Sequence, residues 1–184
     1  MRLLLGSASP RRRELLAGLG IPFETAAPHI DESARPGEPP GAYVERMARE
    51  KAAACARPGL VTLAADTIVL LGGEMLGKPR DRADAERILR LLSGAEHSVI
   101  TAVYVQGRVR SVETLVRFKK LSPAQLRWLV DSGDGDDKAG AYAVQGRAGA
   151  FVERLEGSFS NVVGLPLAET LEMLADAGVE LPWT

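Results

Sequence analysis

The stretch Arg2-Leu3-Leu4-Leu5-Gly6-Ser7-Ala8-Ser9-Pro10-Arg11-Arg12-Arg13-Glu14-Leu15-Leu16 sets the fold class. Arg2 to Leu5 reads as a short buried strand. Ser9 is a candidate N-cap with Pro10 at the first helical position. Leu15, Leu16 and Leu19 supply an apolar stripe, and Gly20 ends the helix. A strand, a turn of small residues and a helix form the opening unit of an α/β protein. The helix start offers unpaired backbone N–H groups and a partial positive charge. Gly6, Ser7, Ala8 and Ser9 would let an anion approach the backbone closely. Three arginines in a first helical turn oppose the helix dipole, and a bound phosphate would reverse that penalty. The G-x-x-x-x-G-K-[ST] phosphate loop is absent.

Outward from there, Pro28 to Gly41 is polar and rich in proline and glycine. It reads as a loop containing Asp31 and Glu32. Ala42 to Ala56 reads as a helix whose inward stripe runs Val44, Met47, Ala48, Lys51 and Cys55, which puts a lysine where an apolar residue belongs. Leu60 to Leu71 reads as a strand region interrupted by Asp66-Thr67, with a tight turn at Gly72-Gly73 and a short return strand at Glu74 to Leu76. A carboxylate bounded by Leu63-Ala64-Ala65 and Ile68-Val69-Leu70 must be paired, bind metal or be functional. Gly77-Lys78-Pro79 precedes a helix capped by Asp81 and ended by Gly94. Ser98 to Val105 and Arg108 to Phe118 read as strands joined at Gln106-Gly107. Ser122 to Gln125 is a capping box. Tyr142 to Gln145 and Ala150 to Leu155 read as short strands, and Pro166 to Ala177 as the closing helix. The order predicts an α/β fold with a mixed sheet in one domain, residues 1–184, with a two-lobed form left open.

The composition bounds the function. A formal net charge of -1 disfavours nucleic acid as the main partner. Cys55 is the sole cysteine, so no intrachain disulfide forms, and a reducing, cytoplasmic setting is expected. The apolar run at the N-terminus is too short for a signal or a membrane span. His29 and His97 lack zinc spacing and read as structural. No G-x-S-x-G elbow accompanies Ser7, Ser9, Ser158 or Ser160. Arginines with Lys51 and Lys78, set beside Asp66 and Glu32, are the residue types of polyphosphate chemistry. Cations neutralise phosphate oxygens; carboxylates hold a divalent metal or orient water.

Taken together, several stretches resemble the Maf-like nucleoside triphosphate pyrophosphatases. They are Ser7-Ala8-Ser9-Pro10-Arg11-Arg12, Asp31-Glu32, Arg49-Glu50-Lys51-Ala52, Ala65-Asp66-Thr67, Gly77-Lys78-Pro79, Leu92-Ser93-Gly94, His97-Ser98-Val99, Asp137 to Tyr142, Gln145-Gly146 and Gly157 to Pro166. They run in the family's order along essentially the whole chain. The resemblance implies an elongated mixed sheet flanked by helices, with two lobes around a cleft, similar to the inosine triphosphate pyrophosphatases. It implies hydrolysis of a nucleoside triphosphate to monophosphate and pyrophosphate with a divalent metal, magnesium or manganese. Asp66 and Glu32 are then the catalytic and metal-binding carboxylates. Ser7, Arg12, Lys51 and Lys78 line the phosphates. Arg11, Thr67 and Gln145 resemble the branch acting on dTTP and UTP, and a glutamine amide can pair with the O4 and N3–H edge of uracil or thymine. The chain departs from the family pattern at Arg147-Ala148-Gly149 and at Gly133-Asp134-Gly135-Asp136. The rival expectations are a pyrophosphatase for 7-methyl-GTP or a non-standard purine nucleotide, and a nucleotide-binding regulator of cell division without turnover. No membrane partner is expected, and a homodimer is left open.

Overall fold

The computed structural model describes residues 1–183. It contains one seven-stranded sheet, of which six strands run in the order β2-β1-β3-β5-β6-β7. The strands are β1 (Arg2–Gly6), β2 (Phe23–Ala26), β3 (Leu60–Leu71), β4 (Glu74–Leu76), β5 (Glu96–Val105), β6 (Arg108–Phe118) and β7 (Val152–Glu156). The helices are α1 (Pro10–Ala17), α2 (Pro40–Cys55), α3 (Arg82–Leu92), α4 (Pro123–Ser132), α5 (Phe159–Val163) and α6 (Leu167–Asp176). β1 pairs in parallel with both β2 and β3, whereas β4 and β7 pair antiparallel to β3 and β6. The expected α/β fold with a mixed sheet is thus present. The described residues divide into two compact units: residues 1–66, 101–112 and 164–183, and residues 67–100 with 113–163.

In the first unit, Leu3 and Leu5 of β1 pack with Val61, Leu63 and Ala65 of β3, Leu16 of α1 and Met173 and Leu174 of α6. Leu4 points to the opposite face by strand alternation, where α2 packs against β1. Burial on both faces explains the unbroken Leu3-Leu4-Leu5 run, as parallel strands require. Ser9 caps α1 with Pro10 in the first turn. The α-helical part ends at Ala17, and Leu19 and Gly20 continue it as turns by donating to the Leu16 and Ala17 carbonyls, until Gly20 reverses the chain at φ 71°.

β3 is a single strand of 12 residues, not one interrupted at Asp66-Thr67. The polar pair is tolerated because Asp66 has a partner, described below. β5 and β6 meet at Gln106-Gly107, both at positive φ (48° and 90°), as a two-residue turn between twisted strands requires. β2 has no counterpart in the sequence reading, and neither does α5. Its four residues are only half-buried or exposed, so no apolar alternation marks them.

In the second unit, Tyr142 to Gln145 is not a strand. Ala139–Ala141 and Arg147–Phe151 are single 3-10 turns, so the expected second strand starts only at Val152. Backbone crowding holds this segment in place: a Cβ on Gly135 would lie 2.0 Å from the Ala141 carbonyl oxygen. Gly140, at φ 75°, donates its N–H to the Gly77 carbonyl at 3.2 Å. Asn161, fully buried, donates to the Val99 carbonyl at 3.0 Å and to Thr114 Oγ1 at 2.9 Å.

His97 is buried against the edges of Phe118 and Tyr142, with Nε2 2.8 Å from the Tyr142 hydroxyl. Nδ1 has no partner among the described residues. Burial pushes the imidazole pKa down to about 4, so the ring is neutral in the folded chain. An unfolded histidine titrates near 6.5, so the unfolded chain binds the extra proton first. The stabilising contribution is therefore complete above about pH 6.5 and declines as pH falls towards 4, by about 3 kcal/mol in total. His97→Phe should flatten this limb. Urea midpoints of both proteins at pH 7 and pH 4.5 measure it.

Candidate active site

The chain order β1, β2, β3 against the spatial order β2-β1-β3 places a topological switch at β1. After β1 the chain moves to one side through α1; after β2 it returns through α2 to the other side. In open sheets with parallel strands, ligands bind beyond the carboxyl ends of the strands at such a point. Ser7 follows the last residue of β1. Leu5 stands opposite Leu63 in the parallel register, so Asp66 lies just past the level at which β1 ends. The first-helix turn and the β3 carboxylate, 59 residues apart in sequence, therefore belong to one site.

Its centre is Lys51. The side chain leaves the inward face of α2 beside the buried Val44, Met47, Ala48, Ala52 and Cys55. Its Nζ lies 2.7 Å from Asp66 Oδ1 and 3.2 Å from Glu32 Oε1. Lys51 and Asp66 are each 7% exposed. A charge this buried needs a partner, and each supplies the other's. Glu32, on the exposed loop before α2, brings the second carboxylate from the solvent side.

Arg12 completes the group. Its Nε donates to the Gly164 carbonyl at 2.7 Å and its Nη1 to Ser7 Oγ at 3.5 Å. Burial lowers the guanidinium pKa, the Asp66 charge opposes that, Arg11 lowers it further and Glu32 raises it. The side chain thus lies in the field of both carboxylates, and an arginine stays protonated throughout. Ser7, 6% exposed, also accepts the Ser9 N–H at 3.1 Å. Gly6 lies in close approach to α2: a Cβ there would lie 3.2 Å from Cys55 Cβ, tight enough that the helix end would have to give by a few tenths of an ångström. Tyr43, one turn into α2, donates its hydroxyl to the Glu32 carbonyl at 2.9 Å. Burial and the charges of Asp66 and Glu32 raise its pKa to about 12.

Five of the expected site residues, Ser7, Arg12, Glu32, Lys51 and Asp66, are brought together. Arg11 is half-buried on α1 and acts electrostatically on Arg12. Thr67, Lys78 and Gln145 belong to the second compact unit. Thr67 follows Asp66 on β3 and so points to the other sheet face. Lys78 and Gln145 are exposed, Gln145 in the turn before the second 3-10 segment. Tyr43, Arg46, Glu38 and the Gly164 carbonyl escaped the sequence reading. Arg46 and Glu50, four apart on α2, were the available signal.

The donor set suits a hard divalent cation: two carboxylates, with no thiol or imidazole beside them. No group of three or more His, Cys, Asp or Glu side chains suited to a metal occurs among the described residues. Magnesium characteristically takes one or two carboxylates and fills its remaining positions from water and phosphate. Arg11, Arg12 and Lys51 against Asp66 and Glu32 leave about one net positive charge, too little to balance a triphosphate without a further cation.

Fold and site together define an α/β protein with a charged site at the switch point of its parallel strands. The chain belongs to the Maf-like protein family, whose model matches residues 2–177. A dTTP/UTP pyrophosphatase of Anaeromyxobacter dehalogenans is 56% identical over 99% of this chain and 97% of its own length. Proteins of the same name from Myxococcus xanthus (53% identical; 98% and 95% covered) and Hahella chejuensis (49%; 98% and 94%) are similar over the same extent. No described helix is long and apolar enough to cross a membrane.

Removing the ammonium should expose the cost of the buried carboxylate. Lys51→Met is expected to lose about 3 kcal/mol of stability in urea unfolding at pH 7, with Lys51→Arg losing less because the charge remains. A loss under about 0.5 kcal/mol, the size expected at an ordinary surface position, would show that Asp66 does not depend on Lys51.

Proposed function

We propose that this chain hydrolyses dTTP and UTP to the corresponding monophosphate and pyrophosphate. The supporting observation is the convergence of Arg12, Lys51, Asp66 and Glu32 at the carboxyl end of β1, where a capped helix begins. The names of its relatives, matched over nearly the full chain, support the same reading.

In this reading the triphosphate lies against the start of α1, where Ser7 and the backbone N–H groups donate to phosphate oxygens. Arg12, fixed at Gly164, and Lys51 neutralise charge on the transferring group. Asp66 and Glu32 would hold magnesium or manganese, which when bound polarises the phosphate oxygens and offsets their charge. A water attacks the α-phosphorus, the bond to the α–β bridging oxygen breaks, and pyrophosphate leaves. Lys51 engages Asp66 Oδ1, so Oδ2 takes the proton of the attacking water. The roles of Thr67, Lys78 and Gln145 are those the resemblance implies. Lys78 is a second phosphate cation, and Thr67 and Gln145 select the pyrimidine, Gln145 through its paired donor and acceptor.

Pyrophosphate release from a nucleotide panel with and without magnesium or manganese tests this. dTTP and UTP should be the best substrates, and chelation should abolish turnover. Asp66→Asn should lower kcat by roughly 100- to 10,000-fold. Gln145→Leu should reduce the preference for dTTP over dCTP and leave the metal requirement unchanged. Equal turnover by wild type and Asp66→Asn would sink the assigned role.

A further inference from the structure

Glu32 sits on a segment without a fully buried apolar side chain. None of residues 27–39 is buried, and none lies in a helix or strand. Yet its carboxylate stands 3.2 Å from Lys51 Nζ, a position that an unrestrained loop would not keep. What holds the segment is polar and comes from one face of α2. Arg46 forks on Glu38, Nε to Oε1 at 2.6 Å and Nη2 to Oε2 at 2.7 Å. The same Nη2 donates to the Ser33 carbonyl, the residue after Glu32, at 3.1 Å. Nη1 reaches both Glu50 oxygens at 3.3 Å, and the guanidinium lies 5.5 Å from the centre of the Tyr43 ring. Tyr43 in turn donates to the carbonyl of Glu32 itself. Arg46 and Glu38 side chains are 14% and 9% exposed, so the fork is largely shielded from water beneath the exposed loop. Glu38 closes the loop on itself by accepting the Arg35 N–H at 3.0 Å.

We infer that Arg46 is a positioning residue for Glu32. It straps the 31–38 segment to α2 so that the Glu32 carboxylate is presented at Lys51 and Asp66. A bidentate guanidinium fixes direction as well as distance, which a lysine at this position would not do. Tyr43 pins the adjoining carbonyl. The inference rests on the reading of Glu32 as a site carboxylate, and adds the device that keeps it in place. Nothing in Arg46 touches Lys51 or Asp66, so its effect on turnover passes through the loop.

The test combines amide exchange with a double-variant cycle, using the full chain with dTTP and magnesium. In Arg46→Ala, amides of residues 31–38 should exchange faster while those of β1 and β3 keep their protection. kcat should fall by roughly 10- to 100-fold, the scale on which outer partners of a ligating group act. The change should appear in kcat more than in KM. Arg46→Lys should recover only part of the rate, and Glu38→Gln, which leaves α2 intact, should loosen the same amides. In a Glu32→Gln background, Arg46→Ala should add no further loss, because the two act as one unit. Unchanged exchange in Arg46→Ala and Glu38→Gln overturns the inference, as do losses that multiply in the double variant. A wild-type chain without turnover, or Glu32→Gln with full turnover, overturns the functional reading instead; exchange still decides the strap.

Discussion

The contact of one lysine with two carboxylates is the constraint on which the first compact unit turns. Lys51 leaves a helix face otherwise made of Val44, Met47, Ala48, Ala52 and Cys55, and meets Asp66 in the middle of a twelve-residue strand. Neither charge is tolerable there alone. Together they allow α2 to lie on the sheet and β3 to run on without a break. Such a pair adds little net stability relative to apolar residues of the same size. Its value lies in what it places at the end of β1: an ammonium and a carboxylate held by packing rather than by a mobile surface chain.

Around that pair the site is assembled from parts held in different ways. Ser7 and Arg12 are fixed by a capped helix and by the Gly164 carbonyl. Asp66 is fixed by a strand inside the sheet. Glu32 alone comes from an unburied loop, held by a guanidinium and a phenol from α2. The carboxylate borne by the loop is thus also the one more open to solvent, where a metal–nucleotide complex would arrive. The basic first turn of α1 fits the same arrangement. Arg12 lies in the field of two carboxylates, which oppose the effects of burial and of Arg11 without outweighing them, so the basic turn still has room for a bound anion.

Much of this was legible along the chain. Ser9-Pro10, Asp81 and Ser122 to Gln125 mark helix starts by local capping chemistry, and all three are present. The stripe on α2 exposed Lys51 as a misplaced charge, because a helix repeats every 3.6 residues whatever its partner. The failures share a cause. Asp66-Thr67 looked like an interruption of β3, since a charge in a strand is costly until its partner is known. Tyr142 to Gln145 carries a strand-like composition, but packing of Gly135 on Ala141 and the Gly140–Gly77 bond bend it into turns. β2 lacks clear apolar alternation, because as an edge strand none of its residues is fully buried and only Phe23 packs on the core cluster.

The sequence by itself determined the fold class, the helix boundaries set by caps, and which residue types were present for phosphate chemistry. These follow from local propensity and periodicity, which act over a few residues. Only the tertiary structure decided that β1 lies between β2 and β3, which turns two distant segments into one switch-point site. It also decided that Lys51 bridges Asp66 and Glu32, and that Arg46 secures the loop bearing Glu32. Those are contacts between residues many positions apart. Their geometry depends on strand order and helix packing, which no local pattern encodes.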